Sequence, residues 1–246
     1  MVAWHGKEKL DYWSSEQCNM MTGRDPSNLP LLVTRNDKMN LFIGQMCRPL
    51  IFQFEKDVRI DNEFDAMRFV PEVTSLSGPD QVPENQCYCL TDPCLPSGLL
   101  DISGCQKDSP IYLSWPHFLH ADPKLVTLVE GLSPDESKHS FTIDMLPKYG
   151  VALAALARLQ LNVMIEKHDG FEWFSKISED KVYLPFVWLE EGVDGPSDIV
   201  RDKVKFLYAL PEMVANLQTI GLLLLGLILL IPEIILWSRQ CFADLR

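Results

Sequence analysis

The residues most able to do chemistry are the sulfurs at Cys87, Cys89, Cys94 and Cys105, followed downstream by His117 and His120. Four thiols and two imidazoles could in principle hold zinc. Structural zinc sites, however, space their first pair two to four residues apart, and Cys87 and Cys89 have only Tyr88 between them. Adding Cys18 and Cys47 makes an even set ahead of a C-terminal apolar run, with Cys241 alone behind it. That division suits three disulfides in an oxidising compartment and a reduced thiol across a membrane. Spacing alone does not choose among the possible pairings.

Nucleophilic hydrolysis would need a serine on a strained elbow, with a histidine and an orienting acid. No Gly-x-Ser-x-Gly occurs, and Ser97-Gly98 stands alone. His117, His120 and Asp122 crowd one strand and turn, too close along the chain for a triad. His117 reads as a packed strand residue and His120 as a turn residue. Glu190 and Glu191 are neighbours on a strand, so they face opposite sides and read as a solvated strand end. There is no glycine-rich phosphate loop. The chain carries 22 basic against 34 acidic residues and no Lys/Arg-rich block, which excludes nucleic acid as a partner. Neither an enzyme nor a resident metal or cofactor is expected.

The elements that must carry these residues are mostly strands. Leu50 to Glu55 alternates apolar and polar, with Leu50, Phe52 and Phe54 on one face. Pro110 to Phe118 and Phe141 to Met145 read likewise, and Val182 to Leu189 is an edge or bulged strand because of Pro185. In Val151 to Ile165 every odd position is apolar, while Arg158, Gln160, Asn162 and Glu166 take the even side. That period of two outweighs the helix propensity of its alanines. Asp169 to Asp180 reads as a short amphipathic helix on Phe171, Phe174 and Ile177, and Asp198 to Leu210 as a second one running into the membrane span through Pro211.

Thr219 to Trp237 is the apolar run, and Ile220 to Ile231 within it contains only Leu, Ile, Gly and no polar residue. With Val214 and Leu217 leading in, it reaches across a bilayer core as a helix. Pro232 and Glu233 lie near its end, where both are tolerated. The expected organisation is a luminal or extracellular domain at 1–212, a transmembrane helix at 213–237 and a cytoplasmic tail at 238–246. Met1 to Leu10 is polar and offers no signal region, so a C-terminal half of something longer is expected.

The chain resembles the class B scavenger receptor family, which includes fatty acid translocase, lysosomal integral membrane proteins and sensory-neuron membrane proteins. The resemblance is carried by Trp4-x-Gly6, Cys18-Asn19, Cys47-Arg48, Cys87-Tyr88-Cys89 and Leu100-Asp101-Ile102-Ser103-x-Cys105. It continues through Pro110-Ile111-Tyr112, Pro116-His117-Phe118-Leu119, Gly131-Leu132-x-Pro134, His139, Asp144-x-x-Pro147, Arg158-Leu159-Gln160-x-Asn162 and Trp188-Leu189-Glu190. One departure is plain: no Asn-x-Ser/Thr acceptor occurs, and the family's glycosylation site after the first cysteine reads Thr22-Gly23-Arg24.

The resemblance implies a mainly β, α+β fold: part of a large antiparallel β-barrel with short helices, closed by the C-terminal span. It implies the pairings Cys18–Cys87, Cys47–Cys105 and Cys89–Cys94. It also implies a hydrophobic tunnel for lipid or lipoprotein ligands, which Leu153, Ala155, Ala157, Leu159 and Leu161 are expected to line. A plasma-membrane receptor for lipid uptake is the favoured role. The alternative is a lysosomal or endosomal protein that sorts a soluble partner, but the tail holds only Asp244-Leu245 and no leucine pair. Cys241 is expected to be a cytosolic thiol and a palmitoylation candidate.

Overall fold

A computed structural model gives the fold and describes residues 3–4, 6–168, 170, 172–175, 177 and 179–243, without the side chains of 173 and 233–243. The chain divides into two units, Met1–Gly195 and Pro196–Arg246. The first is built on one antiparallel sheet. Its strands are β1 (Met39–Ile43), β2 (Arg48–Ile60), β3 (Phe64–Pro71), β4 (Leu100–Asp101), β5 (Tyr112–Ser114), β6 (Thr142–Leu146), β7 (Val151–Glu166) and β8 (Lys181–Val193). Helices are brief in this unit: α1 (Glu16–Asn19), α2 (Pro123–Thr127), α3 (Glu136–His139) and α4 (Glu172–Ser175).

The strand order is β1-β2-β3-β6-β7-β5-β4, with β8 also on β7. Leu161 pairs with both Leu113 of β5 and Val187 of β8, so those strands occupy opposite edges of β7. Ala155 likewise pairs with Ile143 of β6 and Val193 of β8. One edge of β7 is therefore shared by β6 and β5, and the other belongs to β8. This length of β7 is what lets a single strand organise the sheet. β8 has a register shift opposite Leu161–Asn162, where Phe186 follows Pro185 and stands 76% exposed. A proline without a ladder donor at a bulge is the expected accommodation.

The core forms where the apolar faces of β1, β2, β3 and β6 meet. Leu41, Phe42, Leu50, Phe52, Phe69 and Met145 are all essentially inaccessible to solvent. Phe52 and Phe141 meet edge to face at 5.1 Å, a favoured aromatic geometry. Over one side lies a disulfide-rich layer. Cys18 joins Cys87, Cys47 joins Cys105, and Cys89 joins Cys94, with Cα separations of 6.1, 6.4 and 5.4 Å. Those distances lie within the normal range for a bridge. Trp13 packs edge-on against Tyr88 at 5.0 Å, and Arg48 lies 3.7 Å above the same ring. Burial pushes the Arg48 guanidinium down to about 10, with Tyr88 opposing the shift.

Several sequence expectations need correction. The strand anticipated from Pro110 to Phe118 stops at Ser114, and a 3-10 turn follows at Pro116–Phe118. Pro116 lacks an N–H for a ladder, and His117 adopts a left-handed φ of 56°. His117 is thus a turn residue rather than a strand residue. Glu190 and Glu191 are exposed as anticipated but lie inside β8, not at its end. Among the described residues of the amphipathic segment only Glu172–Ser175 are helical, and Phe171 lies outside those residues.

The second unit is one helix, α5 (Asp198–Ala243), with Pro211 and Pro232 inside it. The helix expected over Asp198 to Leu210 runs through Pro211 into the apolar stretch without a break. Within it, Asp198–Pro232 is long and apolar enough to cross a membrane, with a mean hydropathy of 2.3 over 18 of its residues. The backbone of Cys241 belongs to α5, but its side chain lies outside the described residues.

Candidate functional site

The β7–β8 ladder carries two different surfaces, because successive side chains on each strand point to opposite sides. On one surface Ala157, Leu159 and Leu161 of β7 and Leu189 of β8 join Leu113 and Ile111 around a cavity of about 260 Å³. Gln45, Gln106, Ser109 and Glu191 supply polar groups to the same lining. Apolar walls with a few polar groups are the usual makeup of a small-molecule site. Ala157 is the smallest side chain in that lining.

Of the five residues expected along a tunnel, the structure brings Ala157, Leu159 and Leu161 together at this cavity. Leu153 and Ala155 do not line it. Leu153 is 1% exposed, and Ala155 packs against the main core. The register shift in the β6–β7 pairing falls at Leu153 itself, between Ala154 opposite Asp144 and Ala152 opposite Met145.

The opposite surface is polar but covered. Gln160 and Asn162 are fully buried beneath β5 and the Pro116–Phe118 turn. Gln160 accepts the His117 backbone N–H at 2.8 Å and donates to Ser114 Oγ at 3.1 Å. Asn162 donates to the Tyr112 carbonyl and to Ser114 Oγ, both at 3.0 Å. Every polar atom named here has a partner, which is the condition for burying such groups without a large penalty.

Beside this network the imidazoles of His117 and His139 lie face to face, 4.3 Å apart and inclined by 12°. Trp188 of β8 meets His139 edge-on at 6.0 Å. Arg158 of β7 pairs with Glu190 of β8 at 2.6 Å and donates to the Ser140 carbonyl at 2.9 Å. Burial holds His139 below the usual histidine range, the neighbouring His117 adds to that, and Asp135 opposes it. His120 is also pushed down by burial, against the Glu136 carboxylate 3.7 Å away. Sequence reasoning had no access to this stack: His139 was visible only as one residue of a family pattern, and nothing in its spacing points to His117.

A model of the CD36 family matches residues 1–237. The chain is 32% identical to mouse (Mus musculus) scavenger receptor class B member 1 over 242 residues, 97% of this chain and 46% of the relative. It is 31% identical to human (Homo sapiens) lysosome membrane protein 2 over 194 residues, 78% of this chain and 39% of that protein. Sensory neuron membrane protein 1 of Plutella xylostella is 33% identical over 193 residues, 78% of this chain and 35% of its own length. The chain spans about half the length of the curated relatives it matches, 46% in the first case above. A match over nearly every residue, on an antiparallel sheet followed by an apolar helix, establishes that the chain belongs to the CD36 family.

Proposed function

We propose that this chain acts as part of a non-catalytic membrane receptor that binds lipid and passes it along an apolar path. The observation that carries this reading is the cavity walled by Ala157, Leu159, Leu161, Leu189 and Leu113. Its chemistry suits an acyl chain: apolar walls exclude water from the methylenes, and each buried CH₂ contributes about 0.8 kcal/mol. In this reading residues 1–212 are extracellular or luminal, 213–237 cross the membrane, and 238–246 are cytoplasmic. The bridged cysteines support that orientation, because disulfides persist on the oxidising side. Lipids or lipoproteins are the proposed ligands, the plasma membrane the proposed location, and no cofactor is required.

Two alanines two residues apart on β7 provide the test. Ala157→Phe places a ring in the cavity, so uptake of a fluorescent long-chain fatty acid by expressing cells should fall about tenfold while surface expression persists. Ala155→Phe overpacks the core instead, which costs about 1–3 kcal/mol and should reduce surface expression. Unchanged uptake by Ala157→Phe at normal expression would remove the cavity from the lipid path.

A further inference from the structure

We propose that the His117–His139 stack is a proton-operated latch, which holds the 133–140 segment against the β7–β8 ladder when both rings are neutral and releases it when either is protonated. The hydrogen bonding fixes the requirement. His117 Nδ1 accepts the Ser133 backbone N–H at 3.1 Å, and His139 Nδ1 accepts the Asp135 backbone N–H at 3.0 Å. Each ring must therefore carry its proton on Nε2. An imidazolium carries hydrogens on both nitrogens and accepts nothing, so protonation turns either bond into two opposed donors. A charge on one ring would also face the other ring across 4.3 Å.

The surrounding charges do not rescue the protonated form. From α3, Lys138 repels it, while the Asp135 carboxylate is engaged by the N–H and hydroxyl of Ser137 at 2.9 and 2.6 Å. From β7, Arg158 repels it, and Glu190 on β8 is committed to Arg158 at 2.6 Å. Trp188 offers only a ring edge. Glu136 faces His120 rather than the stack, at 3.7 Å. The segment is also tied to the ladder by a hydrogen bond from Arg158 to the Ser140 carbonyl.

Because His139 binds its proton less readily folded than unfolded, the latch contributes stability that is complete above the ordinary histidine value of 6.5. That stability is lost as pH falls through the lower folded value. Opening therefore belongs to acidic pH, the range of an endosome rather than of the cell surface. The latch lies on the face of the ladder opposite the apolar cavity and does not depend on the lipid reading.

Hydrogen–deuterium exchange of the full chain in detergent micelles tests it, with rates corrected for the intrinsic pH dependence. Peptides covering 131–141 should exchange at least tenfold faster at pH 5 than at pH 7.4, while β2 and β3 stay protected. In the double variant His117→Asn and His139→Asn, each amide oxygen can accept the same backbone N–H and does not titrate, so the pH step should vanish. His120→Asn leaves the stack intact and should keep the step. If the double variant does not accumulate, each single substitution is read the same way. A wild-type segment without a pH step, or a step that survives in the asparagine variants, overturns the latch.

Discussion

Replacing Cys47 and Cys105 together by serine is expected to destabilise the chain by about 4 kcal/mol on the chain-entropy account of a cross-link. The bridge joins residues 58 apart in sequence, and Cys18–Cys87 joins residues 69 apart, so its removal should act with similar size. Either loss is a large fraction of the roughly 5–15 kcal/mol by which a domain is stable. Local packing strengthens the expectation at Cys47. Its carbonyl accepts the Trp13 indole N–H at 2.8 Å, and Trp13 in turn packs on Tyr88, next to Cys87. Loosening one bridge therefore disturbs the layer that holds the other. Cys89–Cys94 closes a separation of only 5 residues and should contribute about half as much. Urea unfolding and surface expression of the double-serine variants provide the measurement. A Cys47/Cys105 variant within about 1 kcal/mol of wild type would show that this cross-link does not support the fold. Peptide mapping that finds other partners for these cysteines would overturn the pairing itself.

What the sequence disclosed depended on whether a feature was local. The period of two in Val151 to Ile165 is local, and β7 runs Val151–Glu166. Pro185 marked a bulged or edge strand, and the bulge sits at Phe186 beside it. The polar row of β7 was legible as a row, but its burial was not. Gln160 and Asn162 are buried because Ser114 and the Tyr112 carbonyl, more than 40 residues earlier, meet their hydrogen-bonding needs. The cavity was half legible for a related reason. Leu153, Ala155, Ala157, Leu159 and Leu161 share one apolar row in the sequence, but only the last three line the cavity; Leu153 is buried at the β6–β7 register shift, and Ala155 packs on the core outside the lining. Asp198 to Leu210 reads as a helix running into the apolar span through Pro211, and α5 is continuous across that proline. A proline forfeits one backbone bond, and neighbouring turns on both sides can carry the helix past that loss. The stack of His117 and His139 left no trace in spacing, because only the meeting of the Pro116–Phe118 turn with α3 creates it.

Asp144 is a nearly buried carboxylate held by one arginine, and Arg68→Met is expected to destabilise the fold by about 3–5 kcal/mol. The two are register partners across β3 and β6, and the Asp144 side chain is only 3% exposed. Arg68 donates from Nε and Nη2 to the two carboxylate oxygens, both at 2.7 Å. The fork therefore satisfies both oxygens of a charge that water does not reach. Removing the arginine leaves that charge buried and unpaired, which is a greater penalty than the pair's own net contribution. Arg68→Lys should fall between, since an ammonium restores the charge but not the two parallel bonds. Replacing both partners, Arg68→Met with Asp144→Leu, should recover most of the loss, because no buried ion remains. A double-mutant cycle by chemical denaturation measures the coupling. If Arg68→Met alone costs less than about 1 kcal/mol, the β3–β6 seam is not held by this pair.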